Sequence, residues 1–520
     1  MSQAIGLQSL NDDILSIIVT AWLSQRDAAN LALTSRTVST VARRRVLSSL
    51  RLTAPVASSR FHRFMLKEDS GFRLHCLQKL SIFRSNLSEV EPDDGYTPLA
   101  RVLERARNLR TLVVTYVEDH LETSKGDVLG DAIASLRDLQ ELDLHDVGEE
   151  GMALCERLTC KPRAVHLRAS CSSFEPHLEV EHTAFAELPV LQAASVVTLQ
   201  NFTFVSLADD DSEPPPPPGP LPAPTNLWLD THTLHLRNVD PMAVVKLCPN
   251  LSYLHMTFVM LAHDGRDFYP GDWDNAYSTT IGLVPDIIAR LRVLDVFVDN
   301  PESILDKTIV ASVRATHPVV LSMQFHYGDK GLWEQLAELA KGPQARLRYL
   351  DVLLHDDPLL AQKWLDECLP LFSDSNLLCV GLRLVEYIGD TITAQKYSVL
   401  EASPDDSNWI EDSEWEGLWD TAPKVLAEVI PSLRYVAVSS GCMVEGRVDR
   451  EQSTFRGKAR WWRVVRDNSK ANPGTPAGAA TGAEDGMAPA ELTEINGEEG
   501  RGMDQYMRGE VFADTLRLNE

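Results

Sequence analysis

The residues best suited to chemistry are thinly spread. Cys155, Cys160 and Cys171 lie near His166 and His177 in the chain, and thiolate with imidazole is the donor set of a zinc site. No Cys-x-x-Cys pair is present, and the spacing is poor for a structural zinc site. Reduced thiols and ordinary histidines are the reading for this group. Acids occur in adjacent pairs, Asp356-Asp357 and Asp405-Asp406, each with a proline beside it. Solvated turns explain such pairs better than acid–base catalysis. The chain contains no Gly-x-x-x-x-Gly-Lys-Ser/Thr, no His-Glu-x-x-His and no Gly-x-Ser-x-Gly. No catalytic or metal-binding residue is assigned, no cofactor is called for, and function is expected to come from binding.

A binding surface needs elements to present it, and one short phrase keeps returning. It reads Leu77-Gln-Lys-Leu80-Ser-Ile82, Leu109-Arg-Thr-Leu112-Val-Val114 and Leu139-Gln-Glu-Leu142-Asp-Leu144. It returns from Leu251 to Met256, Leu291 to Val296, Leu347 to Val352 and Leu433 to Val438, with weaker copies at Ala164–Leu167, Val196–Leu199, Thr233–Leu236 and Cys379–Leu382. The closing alternation has period two, the mark of a strand with one buried face. Helix-like segments lie between phrases, at Thr97–Ala106, Trp333–Lys341 and Pro423–Ile430. One strand plus one helix per unit, with no unit able to bury its own face, is leucine-rich-repeat logic. The expected class is α/β, an irregular leucine-rich-repeat solenoid with a curved parallel sheet and outer helices. A Rossmann-like domain is the competing reading, ranked lower because no Gly-x-Gly-x-x-Gly turn occurs. The region is similar to the repeat domain of fungal F-box proteins, although the Asn or Cys usual after the strand is mostly missing.

The non-core strand positions form the candidate target-binding surface: Glu141, Asp143, His145, Tyr253, His255, Asp295, Phe297, Tyr349, Asp351 and Tyr435. Aromatic side chains among acids suit a protein partner, and the acids predict a basic contact patch on it.

The chain opens with three short amphipathic helices. Asn11 caps a helix beginning Asp12-Asp13, along which Ile14, Ile18 and Trp22 recur at four-residue spacing beside Leu15 and Leu23. Ser24 with Asp27 has the form of a capping box for a second helix with Ala28, Leu31 and Ala32 inside, and a third carries Val38, Val41 and Ala42. Three such helices enclose too little apolar volume to stand alone, so another surface is expected to complete them. The runs Leu10-Asn11-Asp12-Asp13-Ile14-Leu15, Leu23-Ser24-Gln25-Arg26-Asp27 and Leu31-Ala32-Leu33-Thr34-Ser35 resemble an F-box, whose pattern is Leu-Pro-x-Glu-Ile-Leu, Leu-x-x-x-Asp, Leu-x-x-x-Ser. Asn11 stands where the family favours Pro, and Val38 stands near a position where Trp is common. The resemblance implies a substrate receptor of an SCF-type ubiquitin ligase. Its partners would be a Skp adaptor, through it a cullin, and a target protein. Leu10, Ile14, Leu15, Ile18, Leu23, Leu31 and Val38 would supply adaptor-facing or inter-helix contacts. A plain helical cap on a non-ligase repeat scaffold is the alternative, and a hydrolase on an α/β sheet a more distant one.

The totals agree with a binding protein. Of 520 residues, 44% are hydrophobic and 24% charged, enough for a large core. A net charge of −26 argues against nucleic-acid and anionic-membrane partners. No apolar run approaches the ~20 residues of a membrane span, and the start reads as no secretory signal. Eight cysteines scattered along the chain, read as reduced, point to cytoplasm or nucleus. The expected boundaries are 1–52 for the F-box helices, 53–467 for the repeats, 468–500 disordered and 501–520 a short terminal element. Within the repeats, an acidic and polyproline loop is expected at 208–224 and an acidic Trp-bearing flap at 401–420.

Overall fold

A computed structural model describes residues 11–34, 36–53, 59–67, 70–83, 96–122, 126–169, 179–205, 219–232, 241–259, 291–298, 309–310, 312–314, 316–325, 330–342, 345–355, 358–386, 413–443, 455–466 and 490–509. The chain forms two compact units, one of residues 1–231 and 238–249, the other of 232–237 and 250–520. Both are mixed α/β with a mostly parallel sheet.

The first unit begins with α1 (Asp12–Trp22), α2 (Gln25–Thr34) and α3 (Arg36–Ser48). Asn11 Oδ1 accepts from Asp13 N at 3.0 Å, and Asp27 N donates to Ser24 Oγ at 3.1 Å, so both expected caps form. The strands are β1 (Ser49–Leu52), β2 (Lys79–Ile82), β3 (Thr111–Val114), β4 (Glu141–Val147), β5 (Ala164–Ala169), β6 (Glu179–Glu181), β7 (Val196–Gln200), β8 (Thr203–Val205) and β9 (Asn226–His232). Seven of them stack in the order β1-β2-β3-β4-β5-β7-β9, all parallel, while β6 and β8 pair by themselves. Sequence order without reversal is the connectivity of stacked repeats, not of a doubly wound sheet.

The second unit continues the rule with β10 (Tyr253–Val259), β11 (Val293–Val298), β12 (Val320–Phe325), β13 (Tyr349–His355), β14 (Cys379–Glu386) and β15 (Tyr435–Met443) in parallel. Then β16 (Phe455–Arg466) and β17 (Ala490–Ile495) pair antiparallel at one edge. Behind this sheet Trp333, Trp364 and Phe372 pack edge to face, with centroids 5.4 and 6.3 Å apart.

Ten strands, β3, β4, β5, β7, β9 and β11 to β15, are entered in the same way. A single carbonyl accepts two successive amides of the next repeat: Gln78, Arg110, Gln140, Arg163 and Ser195 in the first unit, and Ser252, Arg292, Val319, Arg348 and Leu378 in the second, at 2.7 to 3.1 Å. The exits also repeat. Tyr116, Asp146 and Asn201 adopt φ of 58°, 61° and 61°, an uncommon conformation for residues other than glycine. The residue after each, Val117, Val147 or Phe202, is buried. A buried apolar side chain thus directly follows each of these left-handed residues.

Several expectations change. Residues 49–52 belong to the sheet rather than to the helical start, because Leu50 pairs with Leu80 of β2. Of the segment expected to be disordered, residues 490–500 form β17 and the start of helix Gly497–Arg508, held by β16 and Trp461. The tail expected at 501–520 is this helix up to Arg508. Of the expected flap, residues 413–420 open the helix Ser413–Val429, which contains Pro423 instead of starting there; 401–412 lie outside the described residues. Most of the polyproline loop and the phrase at 233–236 also lie outside them.

One loop contact supports this repetition. Glu118 accepts from the amides of Gly148, Glu150 and Gly151 at 2.8, 2.9 and 3.0 Å. It caps helix Glu149–Arg157 from the preceding repeat, and a Cβ on Gly148 would strike its carboxylate. Glu118→Ala should lower urea-unfolding stability by about 1–3 kcal/mol, the cost of stranding charge-accepted donors, with Gly148→Ala moving the same way.

Candidate functional site

The three leading helices carry their own small core. Val19, Ala28 and Val41 are buried together, with Leu23, Leu31 and Val46 packed against them. Leu15 and Val38 are also enclosed. This corrects the docking set: Leu15 and Val38 are inter-helix residues, closed to an outside subunit. Leu23 and Leu31 are partly committed to the same interior, and Ile18 is half-buried. Leu10 lies outside the described residues. The outward apolar residues are Ile14 at 48%, Ile17 at 61% and Trp22 at 80% exposed on α1, and Leu33 at 87% on α2. Ile17 and Leu33 were missed because a four-residue stripe takes one side of each helix as apolar, whereas these helices are apolar on two.

In the first unit Glu141 accepts from Thr111 Oγ1 at 3.2 Å, and Asp143 Oδ1 meets His145 Nε2 at 3.0 Å. Register sets Asp143 beside His166, whose Nδ1 lies 2.8 Å from Thr198 Oγ1. These polar groups, half-buried except for the enclosed Thr198, form a laddered strand face. Burial pushes the Cys155 thiol up to about 12, with Cys160 and Glu156 adding to it, which leaves an inert thiol. Among the described residues no group of His, Cys, Asp and Glu is arranged to hold a metal ion, and no helix is long and apolar enough to cross a membrane.

In the second unit parallel register lines up two rows on one face. One reads His255, Asp295, Ser322, Asp351, Gly381 and Ala437; its neighbour reads Tyr253, Val293, Val320, Tyr349, Cys379 and Tyr435. Tyr253 donates to Asp295 Oδ2 at 3.1 Å, and His255 Nδ1 lies 3.1 Å from the same oxygen. Asp351 accepts from Ser322 Oγ at 3.1 Å and Arg383 Nε at 3.0 Å, and its Oδ2 also takes Arg383 Nη2 and Arg508 Nη2. Gly381 makes this possible, since a Cβ there would lie 2.7 Å from Asp351 Oδ1.

The helix Gly497–Arg508 lies over these rows. Asn496 caps it through Glu499 N at 2.8 Å, and Gly500 sits so close that a Cβ would run into the Trp461 indole. Met507 is buried with Val320, Tyr349, Cys379 and Ala437, with Met503 packed alongside. Asp504 Oδ1 accepts from Tyr349 Oη at 2.9 Å and from Arg508 Nε at 3.0 Å, and the Arg508 guanidinium stands 5.3 Å from the Tyr349 ring centroid. Tyr349 and Asp351 are each 2% exposed. Their assignment as open target-binding residues is therefore corrected, because the chain's own helix occupies that place. Tyr253, His255, Asp295 and Tyr435 are half-buried, and Phe297 lies in β11 with only its strand position described.

Arg383, Gly500, Asp504 and Arg508 were not foreseen. Arg383 was legible, two residues beyond Gly381 in a weak phrase. Arg508 meets Asp351 across 157 residues of chain, a pairing that no local pattern announces.

Burial pushes the Tyr349 hydroxyl well above its usual range, with Asp351 and Asp504 adding to it. Burial also pushes the Asp295 carboxyl up, but its bond to His255 and the charges of His255, Arg508 and Arg383 outweigh this and hold it well below the usual range. A depressed carboxyl contributes stability above its unfolded pKa and loses it as pH falls toward the native one. The difference in urea-unfolding stability between wild type and Asp295→Asn should be full at neutral pH and shrink below about pH 4. Asp351→Ala strands two arginines and should cost about 3–5 kcal/mol in the same assay.

Compared with known proteins, the chain matches no family model and no curated protein.

Proposed function

We propose that this chain is the substrate-recognition subunit of an SCF-type ubiquitin ligase. In this reading α1 to α3 are an F-box that docks a Skp adaptor and, through it, a cullin, while an irregular leucine-rich-repeat domain holds a target protein. The chain performs no chemistry of its own; it raises the effective concentration of the target near the ubiquitin-charged enzyme. A cytoplasmic or nuclear location, with neither nucleic acid nor membrane as partner, goes with this role.

The observation that carries the reading is on α1 and α2. Their interior is complete, yet Ile14, Ile17, Trp22 and Leu33 remain largely in solvent. Large apolar groups on one small helical unit mark a partner's seat. The repeat connectivity supplies the second half of the argument, because stacked strands present their outward positions side by side.

A non-ligase repeat scaffold is the second reading. It is favoured by the closed packing of Leu15 and Val38 and by Arg44, whose guanidinium lies 5.9 Å from the Phe72 ring centroid and ties α3 to the helix Ser70–Cys76. A cap would be built in this way.

Co-purification with a Skp adaptor separates the two. Ile14→Asp with Trp22→Asp changes only exposed positions, so the thermal melt should stay within a few degrees of wild type while adaptor recovery falls at least about tenfold. Unchanged recovery would reject this docking side, and absence of the adaptor from wild-type preparations would leave the scaffold reading.

A further inference from the structure

The helix Gly497–Arg508 is an odd cover for a strand face. Its sequence, GEEGRGMDQYMR, has glycine at 497, 500 and 502. Each interior glycine costs a helix about 1 kcal/mol against alanine, and twelve residues make a marginal helix in water even when the composition is good. Only Gly500 has a steric reason to be glycine, since Gly497 and Gly502 have nothing within 4 Å of a built Cβ. Its apolar hold rests on Met503 and Met507, while Tyr506 remains 37% exposed. The rest of the grip is polar: Arg508 pairs with Asp351, Asp504 accepts from Tyr349, and Arg463 of β16 pairs with Glu499 at the helix start, and enclosed ion pairs select geometry more than they add stability. The helix is thus specific in its seat but weak in its own formation.

We propose that this helix is a displaceable in-cis occupant of the strand face, and that the face receives an arginine-bearing amphipathic helix of a partner protein in its place. The contacts define that partner helix. Two long apolar side chains one turn apart, as at 503 and 507, pack on the apolar row of Val320, Tyr349 and Cys379. An arginine directly after the second reaches Asp351. The face favours a cation there because Asp295 and Asp351 stand in one row, with Ser322 between them, and among the described residues Arg383 is the one guanidinium on the sheet that answers Asp351. A molecule of net charge −26 also draws basic partners to itself. This inference deepens the target-binding half of the proposed function and is independent of the adaptor half.

The test uses the full chain and a fluorescein-labelled synthetic peptide with the sequence of residues 496–509. Met503→Asp with Met507→Asp should free the face, so that the peptide binds this variant at least about tenfold more tightly than wild type, whose face is occupied. Peptide carrying Arg508→Glu should bind neither chain. Gly502→Ala in the full chain touches nothing, strengthens the in-cis helix, and should weaken peptide binding about fivefold relative to wild type, the equivalent of ~1 kcal/mol. Hydrogen exchange provides a readout that needs no opened variant. Amides of 501–508 should exchange far faster than those of Tyr349–His355 and slow about fivefold in Gly502→Ala. Equal exchange of helix and strand would show a permanent wall, and equal peptide binding by opened variant and wild type would show a face without a helix site; either result overturns the proposal. None of these readouts involves a Skp adaptor, so failure here and failure of the ligase reading are told apart.

Discussion

The strand-entry carbonyl is the constraint on which the structure depends. Gln78, Arg110, Gln140, Arg163 and Ser195 in one unit, and their five counterparts in the other, each bind two amides of the next repeat. A buried amide left without a partner costs as much as a lost hydrogen bond, so no repeat closes its backbone until its neighbour arrives. Leu80, Leu112 and Leu142 then stand in register in the first unit, as do Leu254, Leu294, Leu321 and Leu350 in the second, and all are buried. Strand order follows chain order because each rung can be satisfied only by the repeat that comes next.

Register also determines where polar chemistry goes. With the leucine column turned inward, every second residue of the phrase faces the other way, and side chains from distant repeats become neighbours at one strand spacing. Asp295, Ser322 and Asp351 meet for this reason, as do Asp143, His166 and Thr198. In the second unit the outward face does not remain open: Trp461 of β16 and Met507 beyond it lie in one apolar cluster with Val320 and Tyr349. A polar row roofed by a helix must answer its charges internally, and Arg383 and Arg508 do so at Asp351. The Asp295 carboxyl is depressed in spite of this enclosure, because its bond to His255 and the charges of His255, Arg508 and Arg383 outweigh the cost of burial.

Much of this was legible in residue order. The phrase Leu-x-x-Leu-x-Leu locates β2, β3, β4, β10, β11, β13 and β15, and its weaker copies locate β5, β7 and β14. The caps at Asn11 and Ser24 form as their residue types require. What escaped was structure whose signal is not local. Val320–Phe325 lacks the leading leucine of the phrase, and Ser49–Leu52 follows a helix without a turn residue; both are strands because a neighbouring rung recruits them. Residues 490–500 have the composition of a loop, rich in glycine and glutamate, and are ordered because β16 offers an edge and Trp461 a floor.

Alternation of leucine with polar residues therefore determined by itself that the chain is a stack of strands with one apolar side, since a strand's two faces follow from backbone geometry alone. Tertiary structure decided which outward residues are open and which are enclosed. Ile14 and Trp22 remain in solvent while Leu15 and Val38 do not, and Asp351 lies beneath an arginine from the far end of the chain. The physical reason is separation: a strand's faces are set by residues two apart, but what covers a face is set by contacts between residues more than a hundred positions apart, which leave no periodic trace in sequence.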